Sequence, residues 1–196
     1  MRLVVGISGS SGVIYGVRLL DVLRQLNVET YLIMSTAAKE TLVMETEKKV
    51  TEVEALATRV FAFNDIAASV ASGSFPTDGM VVIPCSMKTL AGISSGYSDN
   101  LLLRAADVTL KERRPLVLVP RESPLTTIHL ENMLKVASAG AILVPAMPAF
   151  YTRPRTVDDI IDHLVGKVLD AFKIKHTLYA RWMGARVSAQ RRAIRR

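Results

Sequence analysis

The chain has one cysteine, one tryptophan and three histidines in 196 residues, and only 6% of it is aromatic. A single cysteine, Cys85, permits no internal disulfide, so the fold must rest on its core. Cys85 ends an apolar run, which reads as the position of a small buried residue rather than a nucleophile. With so few histidines and no paired cysteine or carboxylate spacing there is no metal-site pattern, and no metal is expected. His129 and His163 fall within predicted amphipathic helices, where a helix face or a core hydrogen bond is their expected use. No stretch approaches the roughly 18 apolar residues of a membrane span, and a strand begins after a single Arg with no signal-peptide pattern; the expected address is cytoplasmic.

Positive charge is abundant but badly placed for nucleic acid. Arg186, Arg191, Arg192, Arg195 and Arg196 fall in the last eleven residues, and without these five the formal charge of +7 drops to +2. Residues 185–196 therefore read as a basic, disordered tail. The body before them lacks the aromatic-and-basic stripe of single-strand binders, so nucleic-acid binding is not expected.

What the chain has is apolar material: 49% hydrophobic residues and a mean hydropathy of +0.27. That suffices for one core, and residues 1–184 read as a single domain. Short β-branched runs alternate with helical patterns, the signature of an α/β, doubly wound, mainly parallel sheet of Rossmann or flavodoxin-like type, a three-layer sandwich. Strands are predicted at 3–7, 28–34, 80–83, 116–119 and 141–144. Helices are predicted at 13–26, 36–46, 88–93, 100–113, 125–139 and 157–172, with a helical piece at 53–59 and an apolar run at 60–63. The runs MVVIP (80–84) and LVLVP (116–120) break into polar loops, and in such sheets ligands collect outside the carboxyl ends of the strands. Residues 67–70 and Ile93 look surplus to a small core, which gives modest support for self-association.

The first turn, Gly6-Ile7-Ser8-Gly9-Ser10-Ser11-Gly12, joins a strand to a helix. Its glycines let backbone approach an anion, and the free N–H groups at the helix start favour negative charge, so a phosphate fits without a lysine. No Gly-Lys-Ser/Thr follows, the spacing is not GxGxxG, and the second strand ends in Met34-Ser35-Thr36 with no acidic ribose reader. A mononucleotide fits better than NAD; a plain connecting turn is the alternative.

Together with SGSSG in that turn, PCSMKTLAGISSGYSDNL (84–101), RAADVTLKERRPLVLVPRESPL (104–125), IHLENM (128–133) and PAMPAFY (145–151) resemble the flavin prenyltransferases, partners of prenyl-FMN-dependent decarboxylases. The likeness runs to about Trp182. Older descriptions of this family speak of aromatic-acid decarboxylases, a label that fits the partner's chemistry.

The resemblance implies transfer of dimethylallyl from dimethylallyl monophosphate to N5 and C6 of reduced FMN, with release of phosphate and no metal. It places Lys111, Arg121, Tyr151 and Lys167 at phosphate-contacting positions, with Ser11 nearby. Lys167 stands where many relatives carry Arg, so a bidentate fork is replaced by a point charge. Trp182 would wall the allyl group and favour a developing cation. Glu122 matches an acid/base residue at the flavin ring, and Glu45 a second acidic residue, with Glu47 two positions away as the alternative match. FMN would be held by Gly9, Ser10 and Ser11, by Ser35, by Ser86, Met87, Lys88 and Thr89, and by Arg121. Arg104 is a secondary candidate, reaching a site of its own or of a neighbouring subunit. Ser35 and Ser86 could equally be helix N-caps. Family members form large homo-oligomers, usually dodecamers, with sites at subunit interfaces.

Two other readings remain open. FMN-dependent cysteine decarboxylases share the sheet but carry an earlier catalytic His and a PxMNxxMW motif, where this chain has PAMPAFY and a first histidine at His129. A non-catalytic flavin carrier would need the phosphate turn but not Lys111, Tyr151, Lys167 and Trp182.

Overall fold

Side-chain alternation along the central strands divides the core in two. On one face lie Leu3, Val5 and Ile7 with Val81, Ile83, Val117 and Val119; on the other lie Val4, Met80, Val82, Leu116 and Leu118. These runs are buried on both sides, as a parallel sheet covered by helices requires. The computed structural model describes residues 1–184; the tail expected over 185–196 lies outside the described residues.

The strands are β1 (Arg2–Ile7), β2 (Glu29–Met34), β3 (Arg59–Phe61), β4 (Gly79–Cys85), β5 (Leu116–Pro120) and β6 (Ile142–Leu143). All pair in parallel, in the order β3-β2-β1-β4-β5-β6. The expected doubly wound fold is thus present. Helices α1 (Val13–Gln25), α2 (Thr36–Glu45), α3 (Val50–Glu54) and α7 (Val157–Ala171) supply the first core. Helices α4 (Met87–Ser95), α5 (Leu101–Lys111) and α6 (Thr127–Ser138) supply the second. Strand order reverses between β1 and β4, and a crevice opens there at their carboxyl ends.

Polar side chains start most of these helices by accepting a free N–H. Ser35, Ser86, Asn100, Thr126 and Thr156 cap α2, α4, α5, α6 and α7. Helix α1 begins at Gly12 without a side-chain cap of its own.

Three expectations need correction. The helical piece at 53–59 is instead α3, ending at Glu54. Its start is set where the Glu52 carboxylate accepts from the Lys49 N–H at 2.8 Å. The chain then turns extended because Thr58 and Thr30 bond reciprocally, each hydroxyl accepting the other's N–H at 3.0 and 3.2 Å. The last strand shrinks to two residues. The apolar residues thought surplus are largely consumed internally, since Ala68, Val70 and Ile93 are buried in the second core. The apolar surface left exposed lies elsewhere, with Ile128, Leu130 and Leu134 on α6 and Phe150 in the loop before α7.

Candidate active site

A cavity of about 680 Å³ opens beside the switch point. Gly9, Ser35, Ser86, Lys88 and Thr89 all line it, so the structure gathers residues from three separate stretches of sequence. The N-termini of α2, α4 and α5 border it. Ser35 Oγ accepts from the Ala38 N–H at 3.1 Å, and Ser86 Oγ accepts from the Thr89 N–H at 3.3 Å. Both serines are therefore caps and cavity residues at once. Capped in this way, each first turn still presents backbone N–H groups and the positive end of a helix dipole to an anion.

Gly9 is required by close approach: a Cβ there would lie 2.3 Å from the Ala37 Cβ, so any side chain would push the turn off α2. Ser8 fastens the crevice from below. Its buried hydroxyl donates to Pro84 O at 2.9 Å and accepts from the Ser86 N–H at 2.7 Å, tying the end of β1 to the end of β4. Ser10 ties the same turn to β5 by donating to Arg121 O at 3.3 Å. Met87 is turned away, packed on the second core.

The phosphate site expected at the start of α1 is filled differently. Glu45, at the end of α2, accepts from the N–H groups of Gly12 and Val13 at 2.8 and 3.3 Å, supplying the cap that α1 lacks. A carboxylate on those donors repels a second anion, whereas the starts of α2 and α4 border the cavity with no carboxylate in their first turns. Glu47 lies beyond the end of α2. Ser11 is exposed at this turn, its carbonyl accepting from Ser10 Oγ at 3.3 Å.

Arg121 follows β5 at the same edge. Its Nε is buried yet has no hydrogen-bond partner among the described residues. A buried guanidinium donor without a partner costs free energy unless something accepts from it, which is the property expected of an arm that holds an anionic or carbonyl-bearing ligand. Glu122 beside it is exposed and accepts from the Ser123 N–H at 3.1 Å.

Tyr151 and Trp182 are brought together beside α7, which carries Lys167, and none of the three is in the cavity lining. Tyr151 and Trp182 meet edge to face with ring centroids 6.0 Å apart, both more than half exposed. Tyr151 Oη lies 3.0 Å from His163 Nε2 on α7. Lys167 stands one turn further along that helix, 4.0 Å from Asp170.

Arg104 and Lys111 are not brought into either group. Arg104 donates to Ala71 O at 3.2 Å and pairs with Asp107 at 2.8 Å. Lys111 ends α5, which carries the chain back to the amino edge of the sheet before β5, and it pairs there with Glu112. Within one chain Lys111 therefore lies at the edge of the sheet opposite the cavity.

The reading of the residues missed Phe63, Asn64 and Tyr97, which also line the cavity; Phe63 and Asn64 follow the end of β3, a position the strand-end rule flags. Cys85 is fully buried, and burial pushes its thiol up to about 12, the behaviour of a packing residue. His129 helps to cap α6 through Nδ1, which accepts from the Thr126 N–H at 3.3 Å. No histidine lines the cavity, and the described residues hold no cluster of three or more potential metal ligands. No helix among them is long and apolar enough to cross a membrane.

The family model described as Flavoprotein matches residues 1–177. The flavin prenyltransferase UbiX of Escherichia coli (strain K12) is 57% identical over 187 residues, which is 94% of this chain and 99% of that protein. This chain belongs to the flavin prenyltransferases. Among solved relatives of these flavin prenyltransferases, the crystal structure of AnUbiX (PadA1) in complex with FMN and dimethylallyl pyrophosphate matches at TM-score 0.93 and 52% identity, covering 94% of this chain and 98% of that one. A dodecameric FMN-dependent UbiX-like decarboxylase from Escherichia coli O157:H7 matches at TM-score 0.92 and 57% identity, covering 94% and 100%.

Proposed function

We propose that this protein transfers a dimethylallyl group from dimethylallyl monophosphate to N5 and C6 of reduced FMN, releasing phosphate and supplying prenylated FMN to a partner decarboxylase. The observation that carries the reading is the cavity faced by two serine-capped helix starts, with the Arg121 Nε, unpartnered among the described residues, at the same sheet edge, in a chain 57% identical to a flavin prenyltransferase.

The residues present fit the flavin. Thr36, Ala37, Lys88 and Thr89, at the starts of α2 and α4, would hold its phosphate, Gly9 would admit it closely, and Ser10 and Arg121 would line its outer edge. When bound and reduced, FMN supplies the nucleophilic N5 and C6 that accept the allyl group. The chain's own task is to neutralise charge building on the leaving phosphate and to keep an allylic cation from water. Tyr151 and Lys167 suit the first, the Trp182 indole face the second, and Glu122 with Glu45 and Ser11 the handling of protons at the flavin.

Residues 1–184 act as one FMN-binding domain in this reading, and the assembly is a dodecamer in the cytoplasm. Arg104 and Lys111 then serve the site of a neighbouring subunit, which accounts for their distance from the crevice in their own chain. The exposed apolar side chains Ile128, Leu130 and Leu134 of α6 suit such an assembly.

The test is anaerobic incubation with reduced FMN and dimethylallyl monophosphate, followed by mass spectrometry of the released flavin. A flavin heavier by one C5H8 unit is expected. Unmodified FMN released from protein shown to bind it would exclude prenyl transfer and leave a carrier or a cysteine decarboxylase.

A further inference from the structure

His163 is a buried titratable side chain that the reading above leaves without a task. The residue is 7% exposed, its ring tilted against that of Tyr179 with centroids 4.7 Å apart and set edge-on to Tyr151 at 84°. Its Nε2 lies 3.0 Å from Tyr151 Oη. That contact can be made in two ways. If Tyr151 donates inward to a bare Nε2, the phenol presents only lone pairs to the site, which repel a phosphate. If Nε2 carries the proton and donates to Oη, the phenol O–H is free to point outward at an anion.

We infer that His163 is a positioning residue for the prenyl donor, its Nε2–H donating to Tyr151 Oη so that the Tyr151 hydroxyl donates to the departing phosphate. The inference rests on Tyr151 touching that phosphate, as proposed above. An anion accepting from the Tyr151 O–H makes Oη a better acceptor, so substrate arrival itself selects this tautomer.

The groups facing His163 bear on its charge. Tyr151 and Tyr179 flank the ring, and Lys167 and Asp170 follow it on α7. Burial first, and Lys167 next, lower the imidazole from its ordinary value, while Asp170 acts the other way. The ring is therefore neutral at neutral pH. Both the neutral Nε2–H form and the imidazolium donate to Oη, so His163 should leave no limb in the pH profile.

Steady-state kinetics with saturating reduced FMN and varied dimethylallyl monophosphate test this. His163→Gln keeps a donor at the corresponding place and is expected to hold kcat/KM within about threefold; His163→Phe removes it and is expected to raise KM for the donor about tenfold with FMN affinity unchanged. In a Tyr151→Phe background the His163→Phe change should add less than twofold. Equal losses from H163F with and without the Tyr151 hydroxyl, or a loss in H163Q as large as in H163F, would overturn the inference. Should H163F fail to assemble, wild type and H163Q decide it alone: their kcat/KM profiles between pH 5.5 and 8 should superimpose, and a wild-type limb absent from H163Q would mark His163 as a base instead. A Tyr151→Phe variant with wild-type kinetics would remove the Tyr151 reading itself, a separate result.

Discussion

Arg181 closes a two-point fork on Asp170, Nη1 to Oδ2 and Nη2 to Oδ1, each at 2.6 Å. Tyr179 Oη donates to the same carboxylate at 2.6 Å, and His176 Nε2 lies 3.2 Å from it. One side chain near the end of α7 thus pins the returning segment that carries Trp182. Gly166 makes the return possible, because a Cβ there would lie 2.5 Å from Tyr179 Cε1 and 2.7 Å from His176 Cε1.

Because Trp182 is the only tryptophan, its emission reports this latch directly. Asp170→Asn and Arg181→Ala are each expected to lower the emission anisotropy and increase acrylamide quenching, while leaving FMN affinity within about twofold. Gly166→Val should do the same through steric displacement, with a cost of about 1–3 kcal/mol in stability. Unchanged anisotropy in all three would show that the segment is held by other contacts.

The latch has a defined response to acid. Arg181 first, with Tyr179 and His176, holds the Asp170 carboxyl well below the usual carboxylate range, against the opposing effect of burial. A lowered pKa means that the stabilisation is fully present above the ordinary range, near pH 4, and is lost only as pH falls through the lowered value. Trp182 anisotropy should therefore stay constant from about pH 8 to pH 5. A release of the segment centred near pH 4 or above would contradict the assignment.

Gly9→Ala places a methyl group where 2.3 Å separates it from Ala37 Cβ. The turn and the start of α2 must part, widening the cradle. FMN affinity should fall at least tenfold, about 1.4 kcal/mol, in a protein whose circular dichroism is unchanged. Titration with FMN, read by flavin fluorescence, checks it.

Glu45→Ala removes the acceptor that serves Gly12 and Val13. Loss of a helix cap costs about 1 kcal/mol, which in a chain of this size lowers Tm by about 2–4 °C. Glu45→Gln retains a carbonyl acceptor and should recover most of that loss. If Glu45 also handles protons at the flavin, Gln restores Tm without restoring turnover, which separates the two roles.

The Cys85 thiol, raised by burial to about 12 from an ordinary 9.0, should resist iodoacetamide at pH 8.5 in the folded protein and react once it is denatured. Its raised value also sets a sign for stability: between these two values the unfolded chain releases the proton and the folded one keeps it, so stability declines with rising pH. Urea midpoints of Cys85→Ala should fall less steeply over that window.

The core of the sheet was plain in the sequence because buried parallel strands need short β-branched runs, and 3–7, 80–83 and 116–119 are such runs. The stretch from 47 to 61 was not, since its strand depends on Thr58 meeting Thr30 across 28 residues. The cavity residues Ser35, Ser86 and Thr89 follow strand ends, and it was the family resemblance that named them as flavin-binding. The capping of α1 by Glu45 could not, because it joins the end of one helix to the start of another. The position of Lys111 was readable in principle: a residue closing a crossover helix returns to the amino edge, opposite the crevice. The motif around it pointed to chemistry and hid that geometry.

The cavity residues hang from the ends of β1, β2 and β4, whereas Tyr151, Lys167 and Trp182 ride on α7 and the segments flanking it. The two groups are joined where the Ala146 N–H donates to Pro120 O at 3.1 Å, at the end of β5. On the proposed function, variation at the exposed Tyr151, Lys167 and Trp182 would change which allylic phosphate descendants of this chain accept, while the buried face of α7 and the sheet edge are inherited intact.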